Sequence, residues 1–248
     1  RHYSTANTAR DMDAIRVALG DQQITYIGIS YGTLLGGVYA ALFPQNFRAM
    51  VLDSAYEPTG DTALQQWLTQ TIGFEKAFNN FAAWCEETAD CAFAAVDVGA
   101  RWDTLYGNLD AAPVPAADGR FANQAVLEVA TVSALYNDLV WPSLAKALLA
   151  AEQGSGTELL RLADSYMGRE PDGSYDNSNQ AGTVIRCASD LDYSVPDDPA
   201  ALLALMQQVA PRFARSGRVE DLQTNTCDDL VGPNPEVVAP QYSGTAPI

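Results

Sequence analysis

The amino-acid sequence predicts an α/β fold in which a short parallel-sheet segment precedes a long helical insertion. Helical and strand-like patterns alternate over the first 58 residues, which is typical of a parallel sheet. A Gly-Ile-Ser-Tyr-Gly run joins the first predicted strand to a helix. From about residue 60 to about residue 240 the patterns are helical, with no convincing strand. We therefore expect a core segment over 1–58, a helical lid over 59–240, and a return to the core sheet starting over 241–248.

The first predicted helix begins at a capping box and ends at a glycine. Thr8 and Asp11 have the Ser/Thr-x-x-Asp/Glu spacing of such a box, and Gly20 follows the last apolar residue. Residues 24–29 are rich in β-branched and aromatic side chains, so they predict a buried strand.

A second helix and a second strand follow. Small and apolar residues from 33 to 43 predict a helix packed closely on the strand, and Pro44 ends it. Residues 50–52 predict a short strand that finishes at Asp53. Open parallel sheets usually have about five strands or more. We therefore expect this chain to be a middle piece of a larger protein, whose flanking N- and C-terminal core segments complete the sheet.

The predicted lid consists of helices separated by turns. Turn-rich stretches lie at 113–115 and 168–173. The helical patterns lie at 64–81, 123–135, 139–150, 158–167 and 200–213.

The charge balance excludes two classes of partner. Fourteen basic against 31 acidic side chains give a net charge of −17, and the sequence pI is about 4.2. Such an acidic surface repels phosphate backbones and anionic lipid. No apolar run approaches the roughly 20 residues that span a bilayer. We expect a soluble protein with no nucleic-acid partner and no membrane insertion.

The Gly28-Ile29-Ser30-Tyr31-Gly32 run carries the chemistry. Between a strand and a helix, G-x-S-x-G is typical of a nucleophile elbow, a sharp turn from which the serine projects. Bulky side chains at Gly28 and Gly32 would clash with the adjoining strand and helix. The backbone N–H of Tyr31, at the helix start, would face the developing oxyanion. The alternative is that Ser30 merely caps the helix.

A serine nucleophile needs a base and usually a carboxylate that orients this base. His2 is the single histidine, and it precedes the serine, whereas the usual order is serine, acid, histidine. We therefore expect the histidine outside this chain. Asp53, at the end of the second strand, is a candidate acid; the alternative is that it orders the following turn.

Four cysteines favour two disulfides. Their number is even, there is no C-x-x-C pair, and histidine ligands are scarce, so neither a zinc site nor any other metal or cofactor is expected. Three connectivities are open. Cys85–Cys91 is the natural short loop, which leaves Cys187–Cys227 as the long one. The alternative is four buried thiols in a cytosolic protein.

Several segments together carry a family resemblance. They are the elbow and the stretches 3–11, 43–55, 73–81, 84–91, 162–167 and 185–190. In these segments the chain resembles the secreted tripeptidyl aminopeptidase-like serine hydrolases of actinobacteria, which have the α/β-hydrolase fold. The resemblance runs over nearly the whole chain.

The resemblance implies Ser30 as nucleophile, the Tyr31 N–H as one oxyanion donor, and a helical lid over the pocket. It also implies an acid and a histidine beyond residue 248, and a second oxyanion donor upstream of residue 1. Aminopeptidases must hold a free α-ammonium, for which a carboxylate is the physical partner. The candidates are Asp190, Asp192 and Glu75.

The predicted function is that of a serine hydrolase, most simply an aminopeptidase that releases tripeptides through an acyl-enzyme on Ser30. One alternative is an esterase, lactonase or tailoring enzyme on the same scaffold. Another is a non-catalytic binding module. The expected substrate is a peptide or a small ester, and the expected location is outside the cell or in the cell envelope.

Overall fold

The structure, a computed structural model, describes residues 2–55, 63–189, 196–222 and 227. These residues form two compact units. The sheet unit comprises the described residues within Arg1–Trp67, Asn179–Pro199 and Glu220–Ile248. The helical unit comprises Leu68–Ser178 and Ala200–Val219.

The order of helices and strands confirms the predicted alternation at the start of the chain. Over the described residues the elements are α1 (Thr5–Leu19), β1 (Ile24–Ile29), α2 (Tyr31–Leu42), β2 (Phe47–Asp53), α3 (Ala63–Glu87), α4 (Val98–Ala111), β3 (Val114–Pro115), β4 (Phe121–Ala122), α5 (Gln124–Leu135), α6 (Trp141–Glu152), α7 (Thr157–Met167), α8 (Ser178–Ala188) and α9 (Pro199–Val209). Short 3₁₀ helices lie at Asp138–Val140 and Val219–Leu222.

The two strands of the sheet unit pair in parallel. Ile24 lies opposite Phe47 and Ile29 lies opposite Asp53, with a register shift after Ile24. This register places the carboxyl ends of both strands side by side. The residue that follows Ile29, Ser30, therefore lies next to the end of β2.

One carboxylate of helix α1 makes hydrogen bonds to two other parts of the sheet unit. Asp13 accepts hydrogen bonds from Arg16 at 2.7 Å, from the Tyr39 hydroxyl at 3.0 Å and from the Asn46 amide at 2.8 Å. Arg16 is the main reason why the pKa of Asp13 falls to about 2. Asp13 thus joins α1 to α2 and to the turn before β2.

The predicted start of α1 is wrong, whereas its predicted end is confirmed. Ser4 is the N-cap, and its hydroxyl accepts from the Asn7 N–H at 3.3 Å, while Thr8 already lies within the helix. The helix begins earlier because Ser4 is itself a good capping residue and Ala6 is buried in the core. Gly20 ends the helix with φ 78°, in the left-handed region.

The helical unit is built around aromatic side chains. Trp102 is fully buried against Phe78, and its indole N–H donates to the Thr131 hydroxyl at 3.1 Å. The Cys85–Cys91 disulfide lies in the same core. The predicted helices correspond to α3, α5, α6, α7 and α9, whereas α4 and α8 were not predicted. Helix α4 relies on Asp97, whose carboxylate accepts the Ala100 N–H at 2.7 Å.

The expectation that the lid contains no strand is wrong. Strands β3 and β4 form a small antiparallel hairpin, in which Val114 lies opposite Ala122. Gly119, with φ 83°, lies in its turn. Strands of two residues are too short to show an alternating pattern, so periodicity could not reveal them.

The division into units differs from the predicted continuous lid over 59–240. The described residues of 179–199 belong to the sheet unit, where the Thr5 N–H donates to the Ser189 hydroxyl at 2.9 Å. The Cys187–Cys227 disulfide also lies within this unit. The predicted return strand at 241–248 lies outside the described residues. Within the described part of the chain, none of the helices has both the length and the apolar character needed to cross a membrane.

Candidate active site

Ser30 lies at a tight bend between β1 and α2. Its φ of 53° and ψ of −122° are unusual for a residue with a side chain, and such a conformation costs about 1–3 kcal/mol. The surrounding backbone holds it: the Ser30 N–H donates to the Asp53 carbonyl at 3.1 Å, and the Thr33 N–H and hydroxyl donate to the Ser30 carbonyl at 2.8 and 2.7 Å. Ser30 is exposed, as a nucleophile must be.

The Ser30 hydroxyl does not cap the helix, because it makes no capping hydrogen bond to the first turn of α2. This finding removes the alternative role considered for it. Tyr31 is the first residue of α2, and the first N–H groups of a helix have no acceptor within the helix. The Tyr31 N–H is therefore suited to stabilising an oxyanion that forms beside Ser30.

Close packing explains Gly28 but not Gly32. A Cβ at Gly28 would lie 2.4 Å from the Gly32 carbonyl oxygen, which no real contact allows. Gly36 is similarly restricted, since its Cβ would lie 2.6 Å from the Tyr26 ring. At Gly32 a Cβ would meet only the Tyr26 hydroxyl, at an ordinary 3.4 Å. The expected clash at both elbow glycines thus applies to the first of them.

A serine nucleophile also needs a base and an acid, for which Asp53 and His2 are the residues to consider. Asp53 ends β2, beside the elbow, and its carboxylate accepts from the Ser54 hydroxyl at 3.4 Å. His2 is exposed. The described residues therefore bring one carboxylate to the sheet edge that carries Ser30.

The three candidate residues for a substrate amine fall into two groups. Glu75 is buried in the helical unit, and its carboxylate accepts from the Arg212 N–H at 2.9 Å and from the Arg212 guanidinium at 2.7 Å. Both carboxylate oxygens of Glu75 thus accept hydrogen bonds from Arg212. This geometry gives no support to the binding of a substrate amine by Glu75. Asp190 and Asp192 lie outside the described residues.

The helical unit has a pocket of its own, of about 330 Å³. Its lining is mostly apolar and aromatic, with a single carboxylate: Tyr106, Gln124, Ala125, Glu128, Val129, Val132, Tyr166 and Ser216. Burial raises the pKa of Glu128, while Ser216 and Arg215 oppose that rise. Sequence reasoning did not select Glu128, although it is the one charged residue of α5.

Sequence reasoning also passed over Thr5 and Ser189. Both lie in segments that carry the family resemblance, but 184 positions separate them. In the structure the Thr5 hydroxyl lies 2.6 Å from the Tyr31 hydroxyl and 2.7 Å from the Ser189 hydroxyl. The resemblance was the signal that could have directed attention to them.

Comparison with known proteins identifies the family of the chain. Residues 1–148 match the α/β-hydrolase fold family. The chain is 36% identical over 241 residues to serine protease Hip1 of Mycobacterium tuberculosis, an alignment that covers 91% of this chain and 45% of that protein.

Two further relatives carry different names. Carboxylesterase B of Mycobacterium tuberculosis is 40% identical over 216 residues, covering 85% of this chain and 41% of that protein. Tripeptidyl aminopeptidase of Streptomyces lividans is 34% identical over 188 residues, covering 75% and 35%. The chain thus spans less than half the length of these relatives, and the resemblance inferred from the sequence is confirmed. This chain belongs to the α/β-hydrolase family.

Proposed function

We propose that the protein containing this chain is a serine peptidase that releases short peptides, tripeptides in the first place, from free N-termini. The observation that carries the proposal is the backbone of Ser30, an exposed residue in a strained bend between a strand and a helix. Such strain persists only where the surroundings enforce it, and it is concentrated at functional sites.

The reaction is an acyl transfer through a covalent intermediate. The Ser30 hydroxyl oxygen attacks the scissile carbonyl carbon while a histidine outside this chain accepts its proton. The Tyr31 N–H stabilises the resulting oxyanion. Collapse expels the amine, which takes the proton from the histidine, and water then hydrolyses the acyl-enzyme. Asp53, or a carboxylate outside this chain, orients the histidine.

A fluorophosphonate probe tests the nucleophile. The complete protein should be labelled at Ser30, and Ser30→Ala should abolish labelling, as followed by intact mass and peptide mapping. Ser54→Ala is the matched control, since Ser54 is also an exposed serine with a positive φ. Labelling that survives in Ser30→Ala, or disappears in Ser54→Ala, would contradict the assignment.

The substrate class is tested by blocking the amine. A tripeptidyl-coumarin with a free N-terminus should be hydrolysed about 100-fold faster or more than its acetylated form, because acetylation removes a charge that must pair with a carboxylate. Equal rates of hydrolysis of the free and the acetylated substrate would reject the aminopeptidase activity, whereas the assignment as a serine hydrolase would stand.

Esterase activity is the second candidate, favoured by the 40% identity to a protein named carboxylesterase B. It predicts rapid hydrolysis of p-nitrophenyl esters and no release of tripeptides. A complete protein that no probe labels would instead indicate a non-catalytic binding module.

We also propose a location outside the cell or in the cell envelope. Its support is the presence of two disulfides, Cys85–Cys91 and Cys187–Cys227, which persist in oxidising compartments. Fractionation of producing cells, followed by thiol labelling of each fraction, tests this location.

A further inference from the structure

We propose that Thr5 and Ser189 are positioning residues for the nucleophile elbow, acting through the side chain of Tyr31. The inference rests on the proposed function of Ser30 and adds a device that sets the geometry of the site. All the residues involved lie in the sheet unit.

Four short hydrogen bonds link the residue after the nucleophile to two distant parts of the chain. The Tyr31 and Thr5 hydroxyls are 2.6 Å apart, and the Thr5 and Ser189 hydroxyls are 2.7 Å apart. The Ser189 hydroxyl also accepts from the Thr5 N–H at 2.9 Å and donates to the Ile185 carbonyl at 2.5 Å. Thr5 is 2% exposed, so water has little access to compete with these bonds.

The direction of every bond follows from counting hydrogens. A carbonyl oxygen can only accept, so the single hydroxyl hydrogen of Ser189 is donated to the Ile185 carbonyl. The hydrogen between Thr5 and Ser189 must then come from Thr5. With its own hydrogen used, Thr5 can only accept from Tyr31. The order of donation is therefore Tyr31 to Thr5 to Ser189 to the Ile185 carbonyl.

This ordered chain requires the Tyr31 phenol to be protonated. Burial raises the pKa of Tyr31, which keeps the phenol in that state. Ser189 in addition occupies the N–H of Thr5, the first residue of α1, which has no acceptor within its own helix. Thr5 is thus held through both its backbone and its side chain.

Tyr31, whose side chain these hydrogen bonds hold, is the residue that matters for catalysis. Tyr31 directly follows the strained Ser30 and supplies the proposed oxyanion donor. Holding the far end of its side chain restricts rotation of the first turn of α2. We infer that the hydrogen bonds from Tyr31 through Thr5 to Ser189 keep the Tyr31 N–H aimed at the place where the oxyanion forms.

Breaking the hydrogen bonds among Tyr31, Thr5 and Ser189 should slow the chemical step and leave substrate binding unchanged. Thr5→Val keeps the shape of the side chain but neither accepts from Tyr31 nor donates to Ser189. We expect kcat, and the rate of fluorophosphonate labelling of Ser30, to fall about tenfold with KM unchanged, as for the loss of a transition-state interaction of one hydrogen bond. Ser189→Ala should cause a similar fall.

Three variants of the complete protein separate positioning from general damage. Thr5→Ser retains the hydroxyl and should restore most of the rate. Thr8→Val, on the same helix, removes a hydroxyl whose hydrogen bond goes to the Ser4 carbonyl, and should keep the wild-type rate. The double variant Thr5→Val/Ser189→Ala should be no slower than either single one, because both break one chain of bonds.

The outcomes distinguish the two proposals. Labelling of Thr5→Val at the wild-type rate, a rise in KM without a fall in kcat, or failure of Thr5→Ser to restore the rate would each overturn the positioning role alone. A wild-type protein that is not labelled at Ser30 would overturn the proposed function, and the positioning role with it.

Discussion

At the scale of single residues, Ser30 and Glu128 both occupy states that cost free energy. Ser30 has a positive φ, and the Asp53 carbonyl and Thr33 hold it there. Glu128 is a partly buried carboxylate whose hydrogen bonds from the Ser216 hydroxyl are long, at 3.3 and 3.5 Å. Residues in strained or poorly solvated states are typical of functional sites, where a protein gives up some stability for activity.

Glu128 makes a pH dependence predictable. Its pKa in the folded state is raised above the ordinary value of 4.5, so the folded protein binds more protons than the unfolded chain as pH rises above 4.5. Stability linked to Glu128 is therefore fully present below 4.5 and is lost as pH rises through the folded pKa. Glu128→Gln should raise Tm at pH 7 by roughly 2 °C and have a smaller effect at pH 4.

Thermal unfolding at the two pH values checks this prediction. Glu158→Gln is the control, because Glu158 is a half-exposed carboxylate of the helical unit that forms an ion pair at 2.8 Å with the exposed Arg161. It should change Tm little at either pH. A lower Tm of Glu128→Gln at pH 7 would show that Ser216 and Arg215 outweigh burial.

At the scale of elements, the helices depend on a few local groups that set where each begins and how closely it packs. Ser4 starts α1 and Asp97 starts α4, each by accepting a backbone N–H. Gly36 lets α2 approach β1 until a Cβ would overlap the Tyr26 ring. The distance between this helix and this strand, and so the shape of the elbow, depends on that glycine.

Two glycines of α4 should respond in opposite ways to the same substitution. A Cβ at exposed Gly107 meets nothing within 4 Å, whereas one at Gly99 would lie 2.5 Å from the Arg212 guanidinium. Gly107→Ala should raise the free energy of unfolding by about 0.5–1 kcal/mol, because alanine is the better helix former. Gly99→Ala should lower it, because Arg212 must move away from Glu75.

Urea denaturation of the two variants measures both changes. The prediction for Gly107→Ala is contradicted by an unchanged or lower midpoint. The prediction for Gly99→Ala is contradicted if its midpoint rises as well, since helix propensity would then outweigh the displaced ion pair.

At the scale of the whole molecule, the two disulfides constrain the unfolded chain by different amounts. The Cys85–Cys91 pair has a sequence separation of 6, and the Cys187–Cys227 pair a separation of 40. Loop-closure entropy gives about 2 kcal/mol for the shorter loop and about 4 kcal/mol for the longer one. The long disulfide also lies close in sequence to Ser189, which the positioning role requires to stay in place.

The paired variants Cys85→Ala/Cys91→Ala and Cys187→Ala/Cys227→Ala test this order. Both should be less stable than the wild type, and loss of the long loop should cost about 2 kcal/mol more in the free energy of unfolding. Calorimetry under non-reducing conditions gives the two values. A larger loss from the short pair would show that packing of Cys85 in the aromatic core outweighs the chain entropy.

The sequence alone was sufficient for the features that depend on neighbouring residues. The position of strand β1, the end of α1 at Gly20 and the turn at Ser30 follow from local preferences for strand, left-handed and turn conformations. The predicted burial of β1 is wrong, because Ile27 and Ile29 are 70% and 65% exposed. Long apolar periodicity likewise predicted most helices of the helical unit. These signals are local, so they can be read without knowing the partners of each residue.

Only the tertiary structure decided which distant residues meet. Glu75 was a candidate for binding an amine until its two oxygens were found on Arg212, 137 positions away. The bonds from Tyr31 through Thr5 to Ser189 likewise join residues that no spacing rule relates. Side-chain partners depend on how the elements pack, and packing brings together parts of the chain whose separation in sequence carries no periodic signal.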